Sequence, residues 1–430
     1  MIYVVLAIFV LTYFLLIFRK IGSRSLPIWS SMVTGAILMV ASFSISPIEA
    51  FHSIDFRVIE FLFGMLVVTA GFEKSGLVEY LVLTLLRKAK NFNTLLLALI
   101  FASGLLSAFL VNDTVAVLLT PLVLGIAAKI GLKKPKALLI PLAFGITTGS
   151  AFTPIGNPQN LLVTLNSGIQ DPFSQFAFYL LVPSLLGMYA VYLLSRSFFK
   201  KDYNSISTIE EVRPQLAHPA SAISDLGLAK LSASMLGVMV AGFLAVEAFP
   251  QLQSYGVTIY NIALFFGLLL LLLSPRRSYL AVSINWVILV FFAGMFVVMS
   301  AVWDSRVGSI LLSYLPAPAI SSHVQSTGAI FLVAVLLSQI LSNVPFVQLY
   351  TFEMNAIGFS SAHVAAWLAL AAGSTLAGNL SFLGAVSNVI IAESAEARKS
   401  DSFSFLEFLK YGVVVTVVTV LIFFAFLVLV

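Results

Sequence analysis

Cysteine is absent from this chain of 430 residues. That excludes a disulfide framework, a thiol nucleophile and a cysteine-bound metal or metalloid. Charge is scarce too: Asp, Glu, Lys and Arg make up 10% of the residues, against about a quarter in a soluble domain. The four histidines, at 52, 218, 323 and 363, are scattered without ligand spacing and indicate no metal site. No Gly-Lys dipeptide occurs, so the chain has no phosphate-binding loop through which to use ATP.

What the chain has in abundance is apolar surface. Hydrophobic residues make up 60%, and mean hydropathy is +1.06. Uncharged runs recur at 2–18, 27–45, 93–111 and 256–274. Each is near the ~20 residues a helix needs to cross hydrocarbon. Barrel strands would be about half as long and alternate in polarity, which these runs do not. The expectation is an all-α polytopic membrane protein whose first partner is the lipid bilayer. The first run has no charged lead and no small-residue cleavage site, and reads as a span, not a leader. Lys and Arg, 23 against 18 acids, sit in the loops between spans. That is the positive-inside bias, not a nucleic-acid surface.

The sequence repeats itself. Residues 55–76 align without a gap onto 285–306, pairing Phe61, Gly64, Met65, Val67 and Val68 with Phe291, Gly294, Met295, Val297 and Val298. LVND at 110–113 falls against LSNV at 341–344, and Ser46-Pro47 against Ser274-Pro275. FGITTGSAFTPIGNPQN (144–160) lies on AGSTLAGNLSFLGAVSN (372–388), so that Gly145, Thr147, Gly156 and Asn160 meet Gly373, Thr375, Gly384 and Asn388. Matched punctuation in the same order is the mark of an internal repeat.

Loop charge orients the halves. Arg19, Lys20 and Arg24 put the end of the first span in the cytoplasm, and Glu49 and Asp55 put the next loop outside. Two cytoplasmic clusters, Arg87-Lys88 with Lys90 and Lys129 with Lys133, Lys134 and Lys136, flank residues 92–128. That segment must therefore enter and leave on one side, turning at Val111–Thr114. Arg276 and Arg277 are inside, while 307–363 carry no Lys or Arg, so the second hairpin, turning at Ser342–Pro345, enters from outside. The expected fold has two inverted-topology repeats, residues 1–198 and 227–430, joined by a cytoplasmic linker at 199–226. It contains about ten transmembrane helices, two re-entrant hairpins and two broken helices, with both termini outside a plasma (inner) membrane.

Non-helical chain at membrane depth must line a cavity or be buried in protein, because an unpartnered backbone group in hydrocarbon is costly. Each half has two such places, a hairpin tip and a polar interruption at 153–160 or 381–388. Pro154 and Pro158 each remove a backbone donor, and Gly156 permits unusual dihedrals. Interrupted helices in matching positions of inverted halves point to the midplane site of a secondary transporter. Helix N-termini there favour an anion, and unwound carbonyls favour Na⁺. Candidate substrate ligands are Asn112, Thr114, Thr153, Asn157 and Gln159 in the first half. Asn343, Asn379, Ser381 and Ser387 are their counterparts in the second. Asp113 is the one acid placed deep in the membrane, where it should bind a cation, carry a proton or meet a partner; the other reading is an N-cap for the helix that follows. Glu73 and Lys74, adjacent at a span end, are placed to pair or snorkel.

VNDTVAVLLTP, TPIGNPQNLLV, LSNVPF and LGAVSN together resemble the ion transporter superfamily. That group includes arsenite efflux permeases, D-type sodium/proton antiporters, citrate transporters and divalent-anion/sodium symporters. The resemblance covers nearly the whole chain. It implies a homodimer, an elevator-like movement of a transport unit, and two cation sites with substrate between them. Carried over by residue, the first site would involve Val111, Asn112, Asp113, Gly156 and Asn160. The second would involve Ser342, Asn343, Gly384 and Asn388. The symporters carry Ser-Asn-Thr at both tips; Val-Asn-Asp-Thr and Ser-Asn-Val-Pro differ from that, and an Asn-Asp tip is closer to the arsenite permease branch.

The expected function is ion-coupled secondary transport of a small anion, a carboxylate or inorganic oxyanion, with Na⁺ or H⁺ as coupling ion and no other cofactor. Proton-coupled efflux of arsenite or antimonite and sodium/proton antiport are the alternatives. An enzyme would need a nucleophile–base pair or a metal set, which no His or Cys supplies.

Overall fold

The long apolar runs form helices whose ends fall at the polar and turn-forming residues. The structure, a computed structural model, describes residues 1–17, 20–21, 24–25, 27–203, 218–381 and 384–429. Arg19, half of the expected linker (204–217) and two residues of the second break, Phe382 and Leu383, lie outside the described residues. In the first half α1 is Ile2–Ile17, α2 Ile28–Ala41, α3 Phe56–Ser75 and α4 Phe92–Phe109. There follow α5 Asn112–Lys129, α6 Lys136–Gly149, α7 Pro158–Asn166 and α8 Pro172–Phe198. The second half repeats the set as α9 Leu226–Ala248, α10 Ile259–Leu273, α11 Trp286–Asp304 and α12 His323–Leu341. It ends with α13 Asn343–Ile357, α14 Val364–Leu376, α15 Val386–Ala397 and α16 Phe405–Leu429. Seven of these, α4, α5, α8, α9, α11, α12 and α16, are long and apolar enough to cross a membrane.

Small connecting helices also recur in register. Pro47–Ser53 precedes α3 and Arg277–Ser283 precedes α11; Leu77–Arg87 follows α3 and Val307–Leu312 follows α11. The turn after α3 uses Gly76 at φ 76°, and the aligned turn after α11 puts Arg306 at φ 64°. A non-glycine residue held in the left-handed region at the matching place shows that the repeat preserves backbone shape where it does not preserve sequence.

The sixteen helices pack as two bundles. Helices α1–α3 and α9–α11 form one, here the scaffold; α4–α8 and α12–α16 form the other, the core. Within the scaffold the halves interlock, α3 on α10 and α11 on α2. Gly64 and Gly294, aligned in the repeat, sit at the two crossings. A Cβ at Gly64 would lie 2.0 Å from the Ala263 carbonyl oxygen, and one at Gly294 would lie 3.1 Å from that of Met32. In the core, α4 packs on α6 and α12 on α14, while α5 crosses to α15 and α13 to α7.

The Lys- and Arg-rich helix ends share one face, the basic face. Lys136 at the start of α6 reaches Glu407 of α16 at 2.8 Å and Asp401 at 3.6 Å. Arg276 lies 3.8 Å from Asp225, and Lys74 pairs with its neighbour Glu73 at 2.8 Å. Residues 167–171 and 249–258 lie on the opposite face.

A candidate transport site between the bundles

Four helices of the core begin at one place. The hairpin tips are sharp, with two residues between α4 and α5 and one between α12 and α13. The polar breaks end α6 and α14 and restart the chain as α7 and α15. The first residues of α5, α7, α13 and α15 line a cavity of about 480 Å³. Its other wall is scaffold: Trp29 of α2 and Ile288, Phe291 and Phe292 of α11. Pro27, Asn285 and Val287, all exposed, stand at its mouth, so the cavity opens toward the basic face.

Of the residues singled out from sequence, Val111, Asn112, Asp113, Asn157, Gln159, Ser342, Asn343, Gly384 and Ser387 are on this wall. Thr114, Thr153, Gly156, Asn160, Asn379, Ser381 and Asn388 are not; they stand behind it. Four of these were expected as substrate ligands, and for three the reason is visible. Thr153 Oγ1 donates to the Ala108 carbonyl, Ser381 Oγ donates to Gln339 Oε1 at 2.7 Å, and Asn379 Nδ2 donates to Thr148 Oγ1 at 3.1 Å. These side chains tie the breaks to their surroundings. Thr114 lies one residue further into α5 than the last cavity residue of that helix, Asp113.

Gly156 also differs from expectation. It is not in the left-handed region. Its need for glycine is steric, because a Cβ would lie 2.3 Å from the Ser150 carbonyl oxygen. Gly384 matches it, with a Cβ position 2.8 Å from the Ala377 carbonyl oxygen. Both breaks fold back onto the preceding half-helix, and only a bare Cα fits.

The first break is held by its own amides. Asn157 Oδ1 caps α7 by accepting from Asn160 N at 2.9 Å. Asn160 Nδ2 donates to the carbonyls of Ser150, Ala151 and Thr153 at 3.2, 3.2 and 2.9 Å. Asn112 Nδ2 donates to Ser150 Oγ at 3.3 Å, and Asn112 Oδ1 accepts from Ser107. Thr375 of α14 joins this network from the other half: its Oγ1 accepts from Asn157 Nδ2 at 3.1 Å and lies 3.2 Å from Asn160 Oδ1.

The second break keeps the framework but lacks the bonds that Ser150 and Asn157 make in the first. Asn388 Nδ2 donates to the Gly378 carbonyl at 2.6 Å, matching Asn160 to Ser150. Gly378 and Ala385, however, stand where the first half has Ser150 and Asn157. Among the described residues, the buried Asn343 Oδ1, Ser387 Oγ, Asn388 Oδ1 and Thr147 Oγ1 find no hydrogen-bond partner. The tip is also strained: Ser342 has φ 63° and ψ 157°, against −61° and 129° at Val111. A non-glycine residue in that region costs on the order of 1–3 kcal/mol.

Asp113 decides between its two readings. The N-cap of α5 is Val111, which makes no side-chain cap, and Asp113 lies inside the first turn. It lines the cavity and, among the described residues, has no hydrogen bond or ion pair. Among the described residues, no Lys, Arg or His lines the same cavity. Sequence reasoning missed the scaffold wall and Thr375. An aromatic or a threonine in an apolar helix carries no local signal of which neighbour it faces.

Comparison with known proteins agrees with this architecture. The chain resembles the silicon efflux transporter LSI3 of Oryza sativa subsp. japonica, 28% identical over 433 residues that cover 89% of each chain. Among solved structures it superimposes on Neisseria gonorrhoeae MtrF, described within a class of antimetabolite efflux pumps, with a TM-score of 0.54 and 13% identity over 98% of this chain and 94% of that one. The Alcanivorax borkumensis YdaH transporter, described as having an unusual topology, gives a TM-score of 0.53 at 16% identity, covering 99% and 96% of the two chains. The family model CitMHS, citrate transporter, matches residues 13–377, and with paired hairpins, paired breaks and a shared cavity already in place, the chain belongs to this citrate transporter family within the ion transporter superfamily.

Proposed function

We propose that the chain is an ion-coupled secondary transporter that carries a small anion, a carboxylate or inorganic oxyanion, across the plasma membrane by alternating access. One observation carries the reading. Four helix N-termini meet at one cavity, and three of them, those of α5, α13 and α15, have no side-chain cap. Uncapped N-termini offer backbone N–H donors and the positive ends of helix dipoles to a negative group. Phe291, Phe292 and Trp29 provide a dry wall against which those donors act more strongly. Asp113 would then couple transport to H⁺ or Na⁺: its negative charge opposes an anion in the same cavity, so neutralising it favours loading. In this reading the basic face is cytoplasmic, both termini are outside, and the core slides against the scaffold in a homodimer, as the superfamily resemblance implies.

A second reading rests on the absence, among the described residues, of a cationic side chain from the cavity wall, together with a relative named for silicon efflux. A neutral, hydroxyl-rich metalloid acid would donate to open acceptors such as Asn343 Oδ1 and Ser387 Oγ and leave in exchange for protons. Proteoliposomes test both. Citrate, other carboxylates, sulfate, phosphate, arsenite and silicic acid are offered under separate Na⁺ and pH gradients. Anion uptake driven by a Na⁺ or pH gradient supports the first reading, metalloid efflux coupled to an opposing proton current supports the second, and Na⁺/H⁺ exchange without solute replaces both with antiport.

A further inference from the structure

The seam between scaffold and core is apolar packing for most of its length, α3 on α7, α8 on α9 and α11 on α13. Among the described residues, the hydrogen bonds across it come from two charged scaffold side chains, both at the face opposite the cavity mouth. Arg57 of α3, held by Asp55 at 2.7 Å, donates to the Leu165 carbonyl at 3.4 Å and to Asn166 Oδ1 at 3.2 Å. Glu247 of α9 accepts from the backbone N–H groups of Phe173 and Ser174 and from Ser174 Oγ at 2.8 Å. Each charge meets the helix end it suits. The cation sits on the C-terminus of α7, and the anion sits on the N-terminus of α8.

The repeat supplies the comparison. On the basic face the matching C-terminus is that of α15, where Arg398 donates to Ser394 O at 3.1 Å and Oγ at 2.7 Å. The matching N-terminus is that of α16, capped by Glu407 through Ser404 N at 3.0 Å. Those partners belong to the core itself. Equivalent helix ends are therefore bound across the seam on the closed face and within one bundle on the open face.

We propose that Arg57 and Glu247 are the bolts that close the face opposite the cavity mouth, and that both must release for the cavity to open there. This inference rests on the alternating-access reading. The bolts suit reversible use: the Arg57 side chain is 46% exposed, so water replaces its partners when the seam parts.

The chain has no cysteine of its own, so introduced thiols report cleanly. Val344→Cys in the first turn of α13, on the core side of the cavity, is labelled from each face in oriented proteoliposomes with a membrane-impermeant maleimide. With both bolts intact, labelling comes mainly from the basic face. Arg57→Gln with Glu247→Gln should raise labelling from the opposite face by about tenfold. An unchanged ratio in correctly folded protein overturns the proposal. A second variant replaces the Glu247 bolt with a covalent one: Ser174→Cys with Glu247→Cys, oxidised to a cross-link, should abolish labelling from the opposite face and solute flux, both restored by reductant. Flux undiminished by the cross-link also overturns it. A shifted labelling ratio without flux of any solute sustains the bolts and removes the transport reading; solute flux with a fixed ratio does the reverse.

Discussion

Asn160 and Asn388 each turn a side-chain amide back onto the carbonyl ten residues earlier, Ser150 at 3.2 Å and Gly378 at 2.6 Å. The geometry is shared, but the load is not. Asn160 also holds the carbonyls of Ala151 and Thr153, whereas Asn388 Oδ1 has no partner among the described residues. Each buried polar group left unsatisfied costs about 1–3 kcal/mol. Asn160→Ala should therefore destabilise by on the order of 3 kcal/mol or more, and Asn388→Ala by about 1 kcal/mol. Thermal melting of the two variants in one detergent checks this; equal shifts would mean the first break is not held by its amide.

The two tip asparagines should separate in a different way. Asn112 is bonded on both sides, to Ser107 and Ser150, so Asn112→Ala should lower the melting temperature along with transport. Asn343 lines the cavity with an Oδ1 that has no partner among the described residues. Asn343→Ala should raise the apparent KM for the solute by about tenfold while leaving the melting temperature in place. A melting temperature that falls as far as that of Asn112→Ala would assign Asn343 to structure instead.

The features legible in sequence were those that interrupt an apolar pattern. Gly156, Asn157 and Pro158 stand out because a membrane helix has no other use for them, and their twins at 384–386 stand out by register. Loop charge then supplied direction. Two kinds of residue could not be read. Phe291, Phe292 and Trp29 line the scaffold side of the cavity, yet an aromatic facing a cavity has the same sequence environment as one facing lipid. Ser150 and Thr375 sit in helical runs, and only the fold brings Thr375 to Asn157, 218 residues away in sequence. Asn112 and Asn343 align, but Ser150 against Gly378 decides that one is tied and the other free.

Helix crossings in the scaffold offer a test of packing alone. A Cβ at Gly64 would meet the Ala263 carbonyl at 2.0 Å, backbone against backbone, with no side chain to yield. At Gly237, in the middle of α9, a Cβ meets nothing within 4 Å. Gly64→Ala should force α3 and α10 apart and cost several kcal/mol. Gly237→Ala should be neutral or gain up to about 1 kcal/mol from helix propensity. Size-exclusion profiles and melting curves of the pair decide it, and a tolerated Gly64→Ala would mean that α3 and α10 separate readily.

Asp113→Asn keeps the shape of the side chain and removes its charge and its proton. Because no partner is found for the carboxyl among the described residues, the substitution strands no other group, and the protein should fold and melt as before. Gradient-driven uptake should fall by about tenfold or more, since the wall has lost its one ionisable group. Exchange of internal for external solute, which needs no net ion movement, should persist. The gradient also sorts the ion: if a proton rides on Asp113, an acid exterior accelerates uptake in the parent protein and has no effect in the variant. If sodium binds there, a sodium gradient takes that part, with the same loss. Undiminished gradient-driven uptake in the folded variant would remove Asp113 from coupling and leave the ion to the orphaned oxygens of Asn343 and Asn388.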